Sequence, residues 1–140
     1  MKKIVLLSFL FVIASIALDG QTRKEKIQSL RKSVFTEELQ LSEEEEKAFF
    51  PIYGEYDAER EKLQQRTRQA RRQVELIPDE KVKQQMDLLF KLEEEQVALK
   101  RKYADRFMSV LPARKVLYIY KAEQAFRKRL LERVRDRDRM

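Results

Sequence analysis

The stretch EKVKQQMDLLFKLEEEQVALKRKYADRFMS, residues 80–109, decides the fold. Val82, Met86, Leu89, Leu92, Gln96, Leu99, Tyr103 and Phe107 recur in it at steps of three and four, and the row carries on to Val110. That is the period of one face of an α-helix, and neither proline nor glycine interrupts it. The residues between are mostly charged or amide-bearing, which suits the solvated faces of an amphipathic helix. A long helix over 80–109 is therefore expected.

The neighbouring segments repeat the pattern. Upstream, Ile77-Pro78-Asp79 breaks the helical period, with Asp79 available to cap the helix over 80–109. Before that break, Phe49, Ile52, Tyr53, Tyr56, Leu63, Thr67, Ala70 and Val74 mark a helix over 43–76. Ser42 with Glu45 three residues later forms a capping box at its start. Pro51 lacks an N–H, so a kink is expected beside it. A shorter helix over 22–38 carries Ile27, Leu30 and Val34. Downstream, Leu111-Pro112 turns the chain into a helix over 112–135 with Val116, Ile119, Tyr120, Phe126, Leu130 and Val134, and the last five residues are expected to fray. The two long helices, each about 45–50 Å by their rise, are joined by a short connection and should pack as an antiparallel hairpin. No segment reads as strand. The expected architecture is all-α, an elongated four-helix subunit formed by one domain over 21–140.

The N-terminus is a separate matter. Lys2 and Lys3 precede an apolar run over 4–18 broken only by Ser8 and Ser15. The run fits the core of a signal peptide, taken as residues 1–20, and falls short of the ~20 residues that span a bilayer. Cleavage after Ala17 or after Gly20 would release an exported, periplasmic protein with no stable membrane span. An uncleaved anchor is the alternative.

Composition narrows the chemistry. The 140 residues include 31 Lys and Arg, 24 Asp and Glu, two glycines, no histidine and no cysteine, for a net charge of +7. Without His or Cys there is no Ser-His or Cys-His nucleophile pair, no imidazole or thiolate zinc site and no disulfide. Gly20 and Gly54 do not make a phosphate-binding loop. Glutamate clusters at 43–46 and 93–95 lack the glycine-turned loop that orders calcium ligands. A non-enzymatic protein with no cofactor and no metal is the reading these counts favour. A basic coiled coil that binds nucleic acid would suit the charge, but the export leader and the mixing of acids with bases argue against it. A trimeric tentacled chaperone of the Skp kind would need strands that the sequence lacks.

Leu41-Ser42-x-x-Glu45 and Leu111-Pro112-x-x-Lys115 each open a helix after a turn. They resemble the paired LTxxQ motifs of the Spy/CpxP family of periplasmic stress proteins. Phe49-Phe50-Pro51-Ile52-Tyr53 and Tyr120-Lys121-Ala122-Glu123-Gln124-Ala125-Phe126 look closer to a Bacteroidetes-type branch whose members are often labelled sensors of ECF-type sigma factors. The likeness spans residues 27–133. Only the leucines of the motifs are kept strictly, and the histidines associated with zinc resistance in some relatives are absent. The resemblance implies a helical homodimer that acts as an ATP-independent chaperone or an envelope-stress adaptor. Its partners would be unfolded or acidic client proteins, or the domain of a membrane stress sensor or ECF-type sigma factor system.

The residues that would carry such binding can be named. Arg60, Lys62, Arg66, Arg68, Arg71 and Arg72 set six positive charges against Glu61. They are either a solvated helix face or a steering surface for acidic or unfolded partners, with Arg66, Arg68, Arg71 and Arg72 the contact candidates. Phe50 and Tyr118 lie off the apolar stripes and are candidates for a dimer or client patch. Arg60 and Glu123 each sit within an apolar row, so an ion pair between them is expected, within one subunit or across two. Snorkelling of both side chains to solvent is the competing outcome.

Overall fold

The computed structural model describes residues 2–139, with side chains from Gly20 onward. The signal peptide expected over residues 1–20 falls, but for Gly20, on side chains outside the described residues. The chain is all-helical: α1 (Lys2–Leu39), α2 (Glu43–Arg72), α3 (Val82–Met108), α4 (Ala113–Leu117) and α5 (Ile119–Asp138), with no strand among the described residues. Among the described residues, no helix is long and apolar enough to cross a membrane. By their contacts the residues sort into two compact units, one of Met1–Leu41 with Tyr118–Met140 and one of Ser42–Leu117.

In the first unit α1 and α5 pack antiparallel. Leu30, Val34, Phe35 and Leu39 are buried on α1, and Ile119, Ala122 and Phe126 on α5, both sets at helical spacing. The Arg31 guanidinium lies 4.9 Å from the Phe126 ring centroid, and Arg129 pairs with Glu37 at 2.9 Å. α1 ends in a well-formed stop. Gln40 adopts φ 49°, the Leu41 N–H donates to Thr36 O at 3.1 Å, and the Gln40 N–H donates to Glu37 O at 3.3 Å. This pair of bonds satisfies carbonyls that the last helical turn leaves open. Leu41 is buried directly after it.

The second unit is the α2–α3 hairpin with α4. The capping box at the start of α2 forms as expected: the Glu45 N–H donates to Ser42 Oγ at 3.2 Å, and the Ser42 N–H donates to Glu45 Oε2 at 2.9 Å. The antiparallel register is set by pairs that step evenly along both helices: Glu55 with Arg106, Glu59 with Lys102 and Arg66 with Glu95. The core between them is aromatic at one end, with Phe49, Tyr53, Tyr56, Tyr103 and Phe107, and aliphatic at the other, with Leu63, Ala70 and Leu92.

Four boundaries differ from the sequence expectation. The helix expected over 22–38 is the later part of α1, which begins at Lys2. α2 ends at Arg72, and residues 74–76 tighten into a 3-10 turn. Pro78 accounts for the break after this turn, because the residue before a proline is pushed out of the α region, and Ile77 is extended at φ −85°, ψ 139°. The helix expected over 112–135 is two, α4 and α5, separated at Tyr118. There ψ is −3°, closer to 3-10 geometry, and the α-helical pattern lapses for one residue. At the far end, α5 continues to Asp138 where fraying was expected. α2 itself runs through Pro51 as one helix.

Candidate functional site

The basic run of α2 divides into a neutralised body and an open end. Arg66 donates to Glu95 at 2.6 Å, and Arg68 donates to Glu61 at 2.7 Å. Arg60 donates to Asp57 at 2.5 Å and to the Tyr53 hydroxyl at 3.4 Å, with its guanidinium 5.0 Å from the Tyr56 ring centroid. Stacking and hydrogen bonding together keep a half-buried arginine satisfied. Among the described residues, Lys62, Arg71 and Arg72 have no ion pair, and all three are exposed. Within the surface expected over Arg60 to Arg72, Arg71 and Arg72 stand together at the C-terminal end, where they adjoin the α2–α3 connection.

Apolar side chains surround that end. Leu76 is 86% exposed, and Val74 and Val82 stand clear of the core beside it. Val74, Val82 and Met86 were expected in the buried stripes, and the structure leaves all three in solvent. The cause is geometric: with α2 ended at Arg72, the first turns of α3 have no partner helix. Gln85 closes the pairing by donating to the free Ala70 carbonyl at 2.6 Å. One turn below, the buried Thr67 hydroxyl donates to Leu63 O at 3.0 Å and accepts from Gln96 Nε2 at 3.2 Å.

The opposite end of the hairpin holds the motif positions. Glu45 accepts from Lys115 Nζ at 2.6 Å while it caps Ser42, so the fourth-from-leucine positions of the two motifs bond to each other. The two positions carry an acid and a base, and the structure pairs them. The Lys115 bond, and then the Ser42 N–H, hold the Glu45 carboxyl below its ordinary value of 4.5. Leu111 is buried, and Pro112 opens the next turn, its carbonyl accepting from the Lys115 N–H at 2.9 Å. Further along the hairpin, Tyr103 donates to Glu59 at 2.7 Å. That bond, followed by Lys102, lowers Glu59, and Arg106 lowers Glu55. Burial and then the Glu59 contact push the Tyr103 hydroxyl above its ordinary 10.0.

Phe50 is half-buried with its ring 5.2 Å from Phe49, edge to face, and Tyr118 is half-buried with Lys121 Nζ 4.6 Å from its ring centroid. Arg60 and Glu123 fall in different units, and Arg60 is held by Asp57 and Tyr53 of its own helix. In the first unit, Thr22, Arg23, Lys26, Ile27 and Leu30 of α1 face Leu130, Arg133, Val134 and Arg137 of α5 across a groove of about 650 Å³. Among the described residues, no group of three or more acidic side chains is placed to hold a metal ion.

Two features escaped the sequence reading: the Glu45–Lys115 bond and the pairing of Arg66 with Glu95. Both depend on the register between helices, which no local spacing specifies. No family model, curated protein or solved structure matches this chain.

Proposed function

We propose that this chain is a non-enzymatic exported protein that holds partly unfolded client proteins at the α2–α3 connection, as an ATP-independent chaperone or envelope-stress adaptor of the periplasm. One observation carries the reading: Val74, Leu76 and Val82 are exposed together beside the unpaired Arg71 and Arg72. Exposed apolar side chains next to free guanidinium groups suit a promiscuous contact, because arginine stacks on aromatic groups as well as pairing with carboxylates. The leader and the likeness to Spy/CpxP proteins support the same assignment. The test is light scattering of a chemically denatured acidic client with and without the protein beginning at Gln21. Protection should fall when Val74, Leu76 and Val82 are replaced by serine. It should also fall for Arg71→Glu with Arg72→Glu, more at low salt than at high, since screening shortens the reach of charge. Equal protection by all three proteins would remove the connection from the account.

A second reading is favoured by the groove of the first unit. Its floor of Ile27, Leu30, Leu130 and Val134 is bordered by Arg23, Lys26, Arg133 and Arg137, with no acid among the described residues that line it. Such a surface fits one acidic amphipathic helix of a regulatory partner in a membrane stress sensor or ECF-type sigma factor system. Saturable binding to one such domain, with no protection of unrelated clients, would establish this reading instead.

A further inference from the structure

α3 carries a second apolar row that no other part of the described residues covers. Met86, Phe90, Val97 and Met108 are each close to half exposed, and Ala104 lies on the same line. With 3.6 residues per turn, these five side chains fall within about 20° of one line along the helix. The line is well away from the face that Leu92, Tyr103 and Phe107 turn toward α2.

The row is symmetric about Val97. Met86 and Met108 stand equally far from it on either side, and so do Phe90 and Ala104. Between them, Glu93 and Glu94 precede Val97 by the same steps at which Arg101 and Lys100 follow it. All four of these charged residues are exposed or half-exposed, and among the described residues none has an ion pair. Their neighbours one face over, Glu95, Lys102 and Arg106, are all paired with α2. The chain therefore uses the charges along the hairpin seam and leaves this second set unused.

From this geometry we infer that two copies of the chain associate through α3, antiparallel, about a two-fold axis at Val97. The axis sets Phe90 against the small Ala104 of the other copy and Met86 against its Met108. On one edge of the row Glu94 meets Arg101 of the second copy; on the other, Glu93 meets its Lys100. The two-fold repeats both pairs, giving four bridges between opposite charges. A parallel arrangement in register would instead oppose acid to acid and base to base. Self-complementarity of this kind is what a two-fold interface requires, and the apolar centre with a charged rim is the usual anatomy of a specific contact. The inference goes beyond client binding and uses other residues, because Val74, Leu76, Arg71 and Arg72 lie outside the row.

The protein beginning at Gln21 should be a dimer by light scattering at low salt. Because the chain has no cysteine, Val97→Cys supplies one thiol per subunit at the axis and should cross-link on oxidation, whereas Lys91→Cys on another face should not. Glu93→Lys with Glu94→Lys should weaken the dimer about a hundredfold or more by opposing like charges, with helicity unchanged by circular dichroism. Lys100→Glu with Arg101→Glu should do the same, and mixing these two variants should restore a dimer. A wild type that stays monomeric at millimolar concentration overturns the inference. So does a dimer that survives both reversals and fails to cross-link through Val97→Cys. Client protection that persists in a monomeric variant would leave the function proposal standing.

Discussion

The two ends of the α2–α3 hairpin are made from the same pair of helices and are built differently. At the α4 end, Phe49, Tyr53, Tyr56, Tyr103 and Phe107 are buried, with Phe107 ringed by the other four at centroid distances of 5.2–6.2 Å. Ion pairs from Glu55 to Arg106 and from Glu59 to Lys102 flank them. At the connecting end the core thins to Leu63, Ala70 and Leu92, and beyond it Val74, Leu76 and Val82 meet solvent. Large rings bury more apolar area per residue than Leu and Ala, so cohesion is graded along the hairpin. A protein that must bind without losing its fold can place contacts at the weakly held end and stability at the other.

The comparison breaks most clearly on one substitution. Phe107→Ala should cost roughly 3–5 kcal/mol by removing a ring and leaving a cavity, read as a lowered denaturation midpoint. Leu76→Ser should leave that midpoint nearly unchanged. Similar losses for the two would mean that the connecting end is as much a part of the core as the aromatic end.

A smaller effect separates the two roles of Glu45. Glu45→Ala removes both the capping partner of Ser42 and the acceptor of Lys115, and should cost about 1–2 kcal/mol. Lys115→Ala removes only the second contact and should cost less. Equal losses would assign the whole effect to the ion pair. Gly54 sharpens the picture from the outer face of α2. It is exposed in the helix interior with nothing within 4 Å of an added Cβ, so Gly54→Ala should stabilise by about 0.5–1 kcal/mol.

The smallest effects are those of pH, because the groups concerned are solvent-screened. Glu45, Glu55 and Glu59 all have carboxyls lowered from 4.5 in the folded chain. A depressed carboxyl binds its proton less tightly when folded, so its stabilisation is complete above 4.5 and is lost as pH falls through the lowered value. Acid titration of the denaturation midpoint should therefore show a decline that starts below about 4.5. It should be blunted in Glu59→Gln, whose amide does not titrate.

What the sequence made legible was local. The capping box at Ser42 and Glu45 and the break at Pro78 come from chemistry within a few residues, and the structure contains both. The stripe over 82–110 marked the long helix and the aromatic half of its buried face. It placed Val82 and Met86 in the core wrongly, because burial there depends on where α2 ends, and α2 ends at Arg72. The partners of Arg66 and Lys115 lie across inter-helix registers that only the packed hairpin defines. Met86 illustrates the remaining difficulty: its position fits the buried row and the exposed row of α3 equally well by spacing, and only the neighbour decides.

The central claim is that clients meet the connecting end of the hairpin and leave the aromatic end untouched. Amide hydrogen exchange, measured on the protein alone and then with a denatured client, tests it directly. The account predicts added protection over residues 71–83 with no change over 49–56 and 103–107. Protection confined to the aromatic end, or to the α1–α5 groove alone, would contradict it.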